Sequence, residues 1–295
     1  MKMSENKADI GMIFVAIAFG LGYLPTSWAI ATNGVFSVLF WRFLLATLIA
    51  GAIFLKTLKT ASVDDIKFGI ILGLFLFVGF VSQTFAFRHA ASSSVAFIIG
   101  LNVALVPFIA SALFKHKIYS YAYIGIVLAI IGLYLIGNTQ VGFGLGEVLA
   151  LVCATAYSFH IVLTNRFVQN CNLVNMVYFE ILTLVFLYAV AIGFFDGENF
   201  VPNIDKNFII CMLIVGVLGT AFAFFAQALM QKFTTPIKTA IFFTLEPVTA
   251  GVMGYFVGAE HLSSYQILGA GFILLGVLVS EIGSFLKAKN SQYKK

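Results

Sequence analysis

Ten apolar runs follow one another along these 295 residues, each close to the ~20 residues that a helix needs to cross a bilayer. We number them spans 1 to 10, and they cover 10–32, 35–55, 66–87, 92–114, 119–137, 145–165, 174–195, 208–231, 237–257 and 263–286. The chain is 61% hydrophobic and 10% charged, so almost nothing remains for a water-soluble domain. Because backbone in lipid must satisfy its own hydrogen bonds, and barrel-type alternation is lacking, every span is predicted to be helical. The sequence therefore predicts an all-α polytopic membrane protein with ten transmembrane helices.

The second half of the chain is a faint copy of the first, displaced by 144 residues. The identical pairs at this offset include Phe80 and Phe224, Gln83 and Gln227, Ala96 and Ala240, Leu101 and Leu245, Gly125 and Gly269, and Gly132 and Gly276. Each copy holds five spans, an odd number, so the second copy is expected to enter the bilayer inverted. We place the boundary between a first repeat, 1–139, and a second repeat, 140–295, which ends in a short basic tail. Inverted repeats are typical of secondary transporters.

The positive charges are unevenly distributed between the two sides of the predicted topology. Of 17 Lys and Arg residues, 14 lie in the segments on the side of both termini, 2 lie on the opposite side, and Arg42 lies within span 2. The positive-inside rule therefore predicts that both termini are cytoplasmic. Since the basic residues are scattered over five loops and tails, they form no groove for nucleic acid, and we predict no nucleic-acid partner.

Catalytic and metal-binding signatures are missing from the sequence. It has no HExxH pattern, no Gly-x-Ser-x-Gly elbow and no Walker loop. Its three cysteines have no metal-type spacing and its four histidines are dispersed. We therefore predict that the protein is not an enzyme and that it has no catalytic residues, no metal site and no cofactor. An intramembrane active site built from single distant residues stays open as an alternative.

Polar residues at membrane depth are the strongest candidates for function, because they are costly in lipid and are kept there for a purpose. The candidates for solute binding or coupling are Arg42, Gln83, Asn102, Tyr157, His160, Glu180, Gln227 and Glu246. Each also has a structural interpretation. Arg42 could extend to the outer interface or fix helix packing, Glu180 could pair with a neighbouring donor, and His160 could be a packing residue.

Glu246 is the candidate for coupling transport to protons. It lies nine residues into span 9, which is roughly 13 Å into a core about 30 Å thick. Burial at that depth favours a neutral carboxyl group, which could release its proton when the surroundings become wet. The alternative is structural. Pro247 cannot donate to the carbonyl of Phe243, and a protonated Glu246 could supply the missing hydrogen bond.

Glycines recur at seven-residue spacing in spans 5 and 10. Gly125 and Gly132 lie on one face of span 5, and Gly269 and Gly276 repeat the pattern in span 10. Small residues on one face let helix backbones approach closely. The pattern predicts either a homodimer contact through helices 5 and 10 or ordinary packing within one subunit.

Several segments together resemble a known family over residues 10–286. Span 2 contains Trp41-Arg42-Phe43, and the second repeat contains Leu245-Glu246-Pro247-Val248, then Gly258-Ala259-Glu260, then the spaced glycines of span 10. In this order they resemble the ten-helix EamA-type permeases of the drug/metabolite transporter superfamily. The first repeat departs from the pattern, with Val103 where the family often has proline and Lys115-His116-Lys117 where it has Gly-Glu.

The resemblance implies a cavity between the repeats lined by spans 1, 3, 4, 6, 8 and 9, and export of small metabolites, often amino acids or related compounds. We therefore predict a secondary-active permease that works by alternating access, with a small-molecule solute and the lipid bilayer as its partners. The expected location is the cell membrane, as in a bacterial inner membrane. A passive channel and an intramembrane enzyme are the alternatives, and a receptor is disfavoured because so little soluble surface is present.

Overall fold

The computed structural model describes residues 4–114, 120–137, 144–195, 199–234, 239 and 242–292. These residues form helices joined by short turns, and no β-strand occurs among them. In chain order the helices are α1 (Glu5–Gly20), α2 (Tyr23–Ala29), α3 (Val35–Leu58), α4 (Val63–Ala86), α5 (Ser92–Ile99), α6 (Asn102–Phe114), α7 (Ser120–Gly137), α8 (Leu145–Phe167), α9 (Leu173–Phe194), α10 (Lys206–Cys211), a π-helix (Met212–Phe222), α11 (Ala223–Gln231), α12 (Leu245–Phe256) and α13 (Ser264–Gln292).

The helices follow the predicted spans. Seven helical segments among the described residues are long and apolar enough to cross a membrane, and they coincide with spans 1 to 4 and 6 to 8. Spans 5 and 10 correspond to α7 and α13, and α12 forms the second part of span 9. The predicted all-α polytopic membrane fold is therefore confirmed, whereas the division into repeats at 139 and 140 stays a prediction.

Spans 1, 4 and 9 contain breaks that the hydropathy pattern did not reveal. Span 1 turns at Leu21 and Gly22, span 4 turns at Gly100 and Leu101, and Thr244 is a turn residue just before α12. The breaks in spans 4 and 9 lie at the 144-residue offset. Pro247 has no N–H to continue a helix through Phe243. In span 4 a Cβ atom on Gly100 would lie 3.2 Å from Cγ of Pro247, so glycine permits the two breaks to pack closely.

Span 8 is irregular in a different way. Its middle 11 residues, Met212–Phe222, form a π-helix between α10 and α11. The hydroxyl of Thr220 donates to the carbonyl oxygen of Val215, five residues earlier, at 2.7 Å. π-Helical turns widen a helix and often occur at functional sites, and this one lies beside the cavity described below.

Two acidic residues join the halves of the chain at their loops. Asp65, at the start of α4, accepts from the backbone N–H of Asn172 at 2.7 Å and from Nδ2 of Asn175 at 3.1 Å. Asp205, before α10, accepts from the hydroxyl of Thr32 at 2.8 Å. Hydrogen bonds from the Phe208 N–H and from Thr32 keep the pKa of the Asp205 carboxyl group below its usual value. The third span of each half is thus tied to a loop of the other half.

A third contact between the halves involves Glu260. One carboxylate oxygen accepts from the N–H of Ser92 at 3.0 Å and from its hydroxyl at 2.6 Å. The other oxygen accepts from the N–H of Ser93 at 3.1 Å and from the Ser93 hydroxyl. The carboxylate therefore caps α5, a helix of the first half, from the turn that follows α12 in the second half.

The glycines of spans 5 and 10 serve packing within the chain. Helix α7 lies along α13, and a Cβ on Gly132 would lie 2.5 Å from the carbonyl oxygen of Gly269 and 2.7 Å from Cγ1 of Ile273. Such spacing requires glycine at Gly132. This contact agrees with the interpretation as packing inside one subunit, and a homodimer through helices 5 and 10 stays a prediction.

Candidate functional site

A cavity lies between the two halves of the chain, with about 670 Å³ of space that no protein atom occupies, including the part open to solvent. Its apolar wall includes Phe19, Leu76, Phe80, Phe224 and Phe243. Its polar wall consists of Tyr23, Thr26, Arg42, Gln83, Thr84, Asn102, Tyr157, His160, Gln227 and Glu246. Seven of the eight predicted site residues therefore line one cavity, and Glu180 lies behind His160. A concave, largely apolar pocket with a few convergent polar groups is typical of a small-molecule site.

The lining comes from the six spans that the family resemblance implies, with one addition. Spans 1, 3, 4, 6, 8 and 9 all contribute side chains, and Arg42 brings in span 2. The Arg42 side chain is buried and faces this cavity. The interpretation in which Arg42 extends to the outer interface is therefore wrong.

Glu246 lies in the first turn of α12, directly after the break in span 9, and is buried. Its Oε1 atom accepts a hydrogen bond from the hydroxyl of Tyr23 at 2.8 Å. Tyr23 is the first residue of α2, directly after the break in span 1. The break therefore places the tyrosine hydroxyl beside Glu246, which follows the break in span 9. Sequence reasoning did not single out Tyr23, because one tyrosine among 11 has no signal unless the helix break beside it is known.

Asn102 occupies the corresponding position in the first half, at the start of α6 after the break in span 4. Its Oδ1 atom is buried and has no hydrogen-bond partner among the described residues, although the side chain lines the cavity. Its main-chain carbonyl accepts from the hydroxyl of Ser158 at 2.9 Å. An unpartnered buried acceptor beside a cavity is available for a solute or a water molecule.

The two repeat-related glutamines have different surroundings. Oε1 of Gln83 accepts from the hydroxyl of Tyr157 at 2.6 Å, which joins α4 to α8. Gln227 is buried in α11 and lines the cavity. Both glutamines line the same cavity, while their roles in binding stay predictions.

His160 and Glu180 form a buried pair at the edge of the cavity. His160 Nε2 lies 2.7 Å from Oε1 of Glu180 and 3.3 Å from the hydroxyl of Thr164. Both partners are buried, with exposed fractions of 4% and 1%. The pair links α8 to α9, and Glu180 itself does not line the cavity.

Arg42 has a defined orientation. Its Nε atom donates to the hydroxyl oxygen of Thr220 at 2.8 Å, and its guanidinium carbon lies 4.3 Å from the ring centroid of Phe80 and 5.0 Å from that of Phe43. Aromatic faces attract a guanidinium group. Thr220 belongs to the π-helix and was another residue that sequence reasoning missed, since no sequence pattern indicated the π-helical geometry.

The family model described as EamA-like transporter family matches residues 6–138 and again residues 144–281. The chain belongs to this family. It is therefore a multi-pass membrane protein and, in broad terms, a membrane transporter. The second match begins where the first half of the chain ends, close to the boundary that we predict between the repeats.

Relatives of this EamA-like protein are named as transporters. An uncharacterized transporter of Archaeoglobus fulgidus is 27% identical over 92% of this chain and 85% of its own length. The uncharacterized transporter YyaM of Bacillus subtilis is 27% identical over 92% and 89%, and the uncharacterized inner membrane transporter YedA of Escherichia coli is 22% identical over 83% and 81%. A solved crystal structure aligns with a TM-score of 0.71 at 17% identity, over 95% of this chain and 98% of its own, which shows the fold.

Proposed function

We propose that this EamA-like protein is a secondary-active exporter of a small organic metabolite, an amino acid or a related compound, that works by alternating access. The observation that carries the proposal is the cavity itself. Polar side chains from both halves converge on a space of about 670 Å³ between apolar walls. A site shared by two halves can be exposed to each side in turn when one half rocks against the other.

The broken spans support this proposal. Discontinuous helices near the membrane centre are a common way of building a solute site, because their free ends offer unsatisfied backbone groups. Here the breaks in spans 4 and 9 place Asn102 and Glu246 at the cavity, one from each half. Asp65 and Asp205, each near the start of the third span of its half, also bond to a loop of the other half.

The driving force is proposed to be an ion gradient or the gradient of the solute, since the sequence has no ATP-binding loop. Glu246 is our candidate for coupling to protons, with its carboxyl group hydrogen-bonded to Tyr23 inside the cavity. Both termini are proposed to be cytoplasmic in a cell membrane, as the distribution of Lys and Arg indicates. A bacterial inner membrane fits the name of the Escherichia coli relative.

The proposal is tested by comparing metabolites in the medium of cells with and without the protein, followed by flux in vesicles that contain the purified protein. Export should enrich one or a few amino acids or related compounds in the medium, and flux in vesicles should saturate and show exchange of internal for external solute. Flux that rises without saturation would identify a channel. Conversion of a metabolite in detergent, where no gradient exists, would identify an enzyme.

A further inference from the structure

Arg42 is a buried cation without an ion-pair partner in the part of the chain that the structure describes. Among the described residues, no carboxylate lies within ion-pair distance of it, because the buried Glu180 pairs with His160 and the carboxyl group of Glu246 bonds to Tyr23. Arginine stays protonated in proteins, so the charge cannot be removed by losing a proton. Burying an unpaired charge is costly. The cost is offset when a ligand supplies the opposite charge.

The hydrogen bond to Thr220 shows which side of the guanidinium is free. The hydroxyl proton of Thr220 is used on the carbonyl of Val215, so its oxygen accepts from Nε of Arg42. The rings of Phe43 and Phe80 hold the guanidinium carbon. Thr220 therefore occupies Nε, whereas no described residue accepts a hydrogen bond from Nη1 or Nη2, and the side chain lines the cavity. Two parallel N–H donors match the two oxygens of a carboxylate.

From this arrangement, and resting on the proposed transport function, we infer that Arg42 is the recognition site for a carboxylate group of the solute, and that the solute carries one such group. Arg42 is the one Arg or Lys among the described residues that line the cavity. A single fixed positive charge matches a single negative charge. A phosphate ester or a dicarboxylate would bring a second negative charge without a partner, close to the carboxyl group of Glu246.

The inference is tested by ligand-induced thermal stabilisation of the purified protein in detergent, at constant ionic strength. The probes are size-matched triads: an aliphatic monocarboxylate or an amino acid, its primary amide, and the corresponding amine. Succinate and a sugar phosphate serve as the doubly charged anions. We expect at least one monocarboxylate or amino acid to raise the melting temperature, whereas its amide, its amine and the doubly charged anions do not.

Two variants separate recognition from a role in folding. Arg42→Gln should weaken binding of the stabilising carboxylate by roughly tenfold or more, and Arg42→Lys should recover only part of it because lysine lacks the planar fork. Arg88→Gln is the matched control, since Arg88 is exposed and lies 5.6 Å over Phe85 outside the cavity. Arg42→Gln also loses the hydrogen bond to Thr220 and the contacts with Phe43 and Phe80, so Arg42→Lys, which keeps the charge, shows whether affinity follows the guanidinium group.

The inference is overturned if amides or amines stabilise as well as carboxylates, if no carboxylate in the panel stabilises, or if Arg42→Gln retains the affinity. Binding in detergent needs no gradient, so its failure is distinct from a failure of transport. If carboxylates bind through Arg42 but are not transported in vesicles, the inference about Arg42 holds and the proposed exporter function is wrong.

Discussion

The carboxyl group of Glu246 and the hydroxyl of Tyr23 meet where two broken spans come together, 2.8 Å apart. Most of the residues that form the site could be predicted from the sequence. Polar side chains in lipid are expensive, so Arg42, Gln83 and Glu246 stood out from an apolar background, and all three line the cavity. Tyr23 could not be singled out in this way, because tyrosine is common in membrane proteins. Only the local backbone brings its hydroxyl to Glu246.

Glu246→Gln tests the coupling role. If the carboxyl group carries a proton against the solute, the variant should fold and bind solute but lose the acceleration of export by an imposed pH gradient. If Glu246 is structural, glutamine keeps a hydrogen-bonding side chain of the same length and gradient-driven export should survive. The measurement is flux in vesicles with and without a pH gradient.

The control for this variant is Asp64→Asn, which removes an exposed carboxylate at the start of α4. It should leave the response to the pH gradient unchanged. A Glu246→Gln protein with undiminished proton dependence would exclude Glu246 as the coupling group and leave the His160–Glu180 pair as the next candidate.

At the scale of helices, close packing rather than hydropathy decides how spans 1 and 9 meet. A Cβ on Gly20 would lie 2.6 Å from the carbonyl oxygen of Glu246 and 2.6 Å from Cβ of Thr249. Gly20→Ala should therefore force α1 away from α12 and lower stability by about 1–3 kcal/mol. Thermal unfolding in detergent measures the effect.

Gly193→Ala is the matched control, because a Cβ at that helical position meets no atom within 4 Å. Its stability should be unchanged or slightly higher, since alanine favours a helix over glycine. Equal melting temperatures for the two variants would show that α1 and α12 are not held as closely as described.

Glu260 is expected to hold α5 to α12 on the side predicted to face outward. Its two oxygens accept four hydrogen bonds from Ser92 and Ser93. In a glutamine, the NH₂ group would replace one of these oxygens and could not accept hydrogen bonds from the serine donors. Glu260→Gln should therefore loosen the outer contact between the halves. A single cysteine at Ser94, in a protein lacking the native cysteines, should then react faster with an impermeant thiol reagent added outside.

Glu147→Gln is the control for that experiment. Its carboxylate accepts from the N–H of Gly144 at 2.9 Å and so caps a helix within its own half. It should not change the labelling of the Ser94 cysteine. Labelling that is unchanged in Glu260→Gln as well would limit Glu260 to local capping of α5.

The helices themselves could be predicted from the sequence, but their breaks could not. Hydropathy continues without interruption through Gly22, Gly100 and Thr244, because a turn inside a protein-lined cavity needs no polar residues of its own. The visible signals were Pro25 and Pro247, each the third residue of the helix that follows its break. Span 4 turns at the corresponding place with Val103 in the position of Pro247. The π-helix around Thr220 has no recognisable pattern in the sequence.

At the scale of the whole molecule, the orientation in the membrane is the main prediction. In a protein without Cys153, Cys171 and Cys211, single cysteines at residues 139–143 and 198–204 should react with an impermeant reagent from outside. Cysteines at 57–62 and 290–294 should react only after the cytoplasmic side is opened. A loop around Asp205 that proved cytoplasmic would reverse the topology and remove the basis for the inverted repeats.

The fixed charge of Arg42 has a further consequence for how membrane voltage acts on the carrier. When Glu246 is protonated and the His160–Glu180 pair has no net charge, the empty site has the one positive charge of Arg42, and a bound solute with a net charge of −1 reduces it to zero. Voltage acts on charge that moves through the field, at up to about 2.3 kcal/mol per charge for 100 mV. In exchange, the site is loaded in both directions. The rate of exchange of such a solute should therefore not change with an imposed membrane potential. Net export includes the return of the empty site, and its rate should change with voltage.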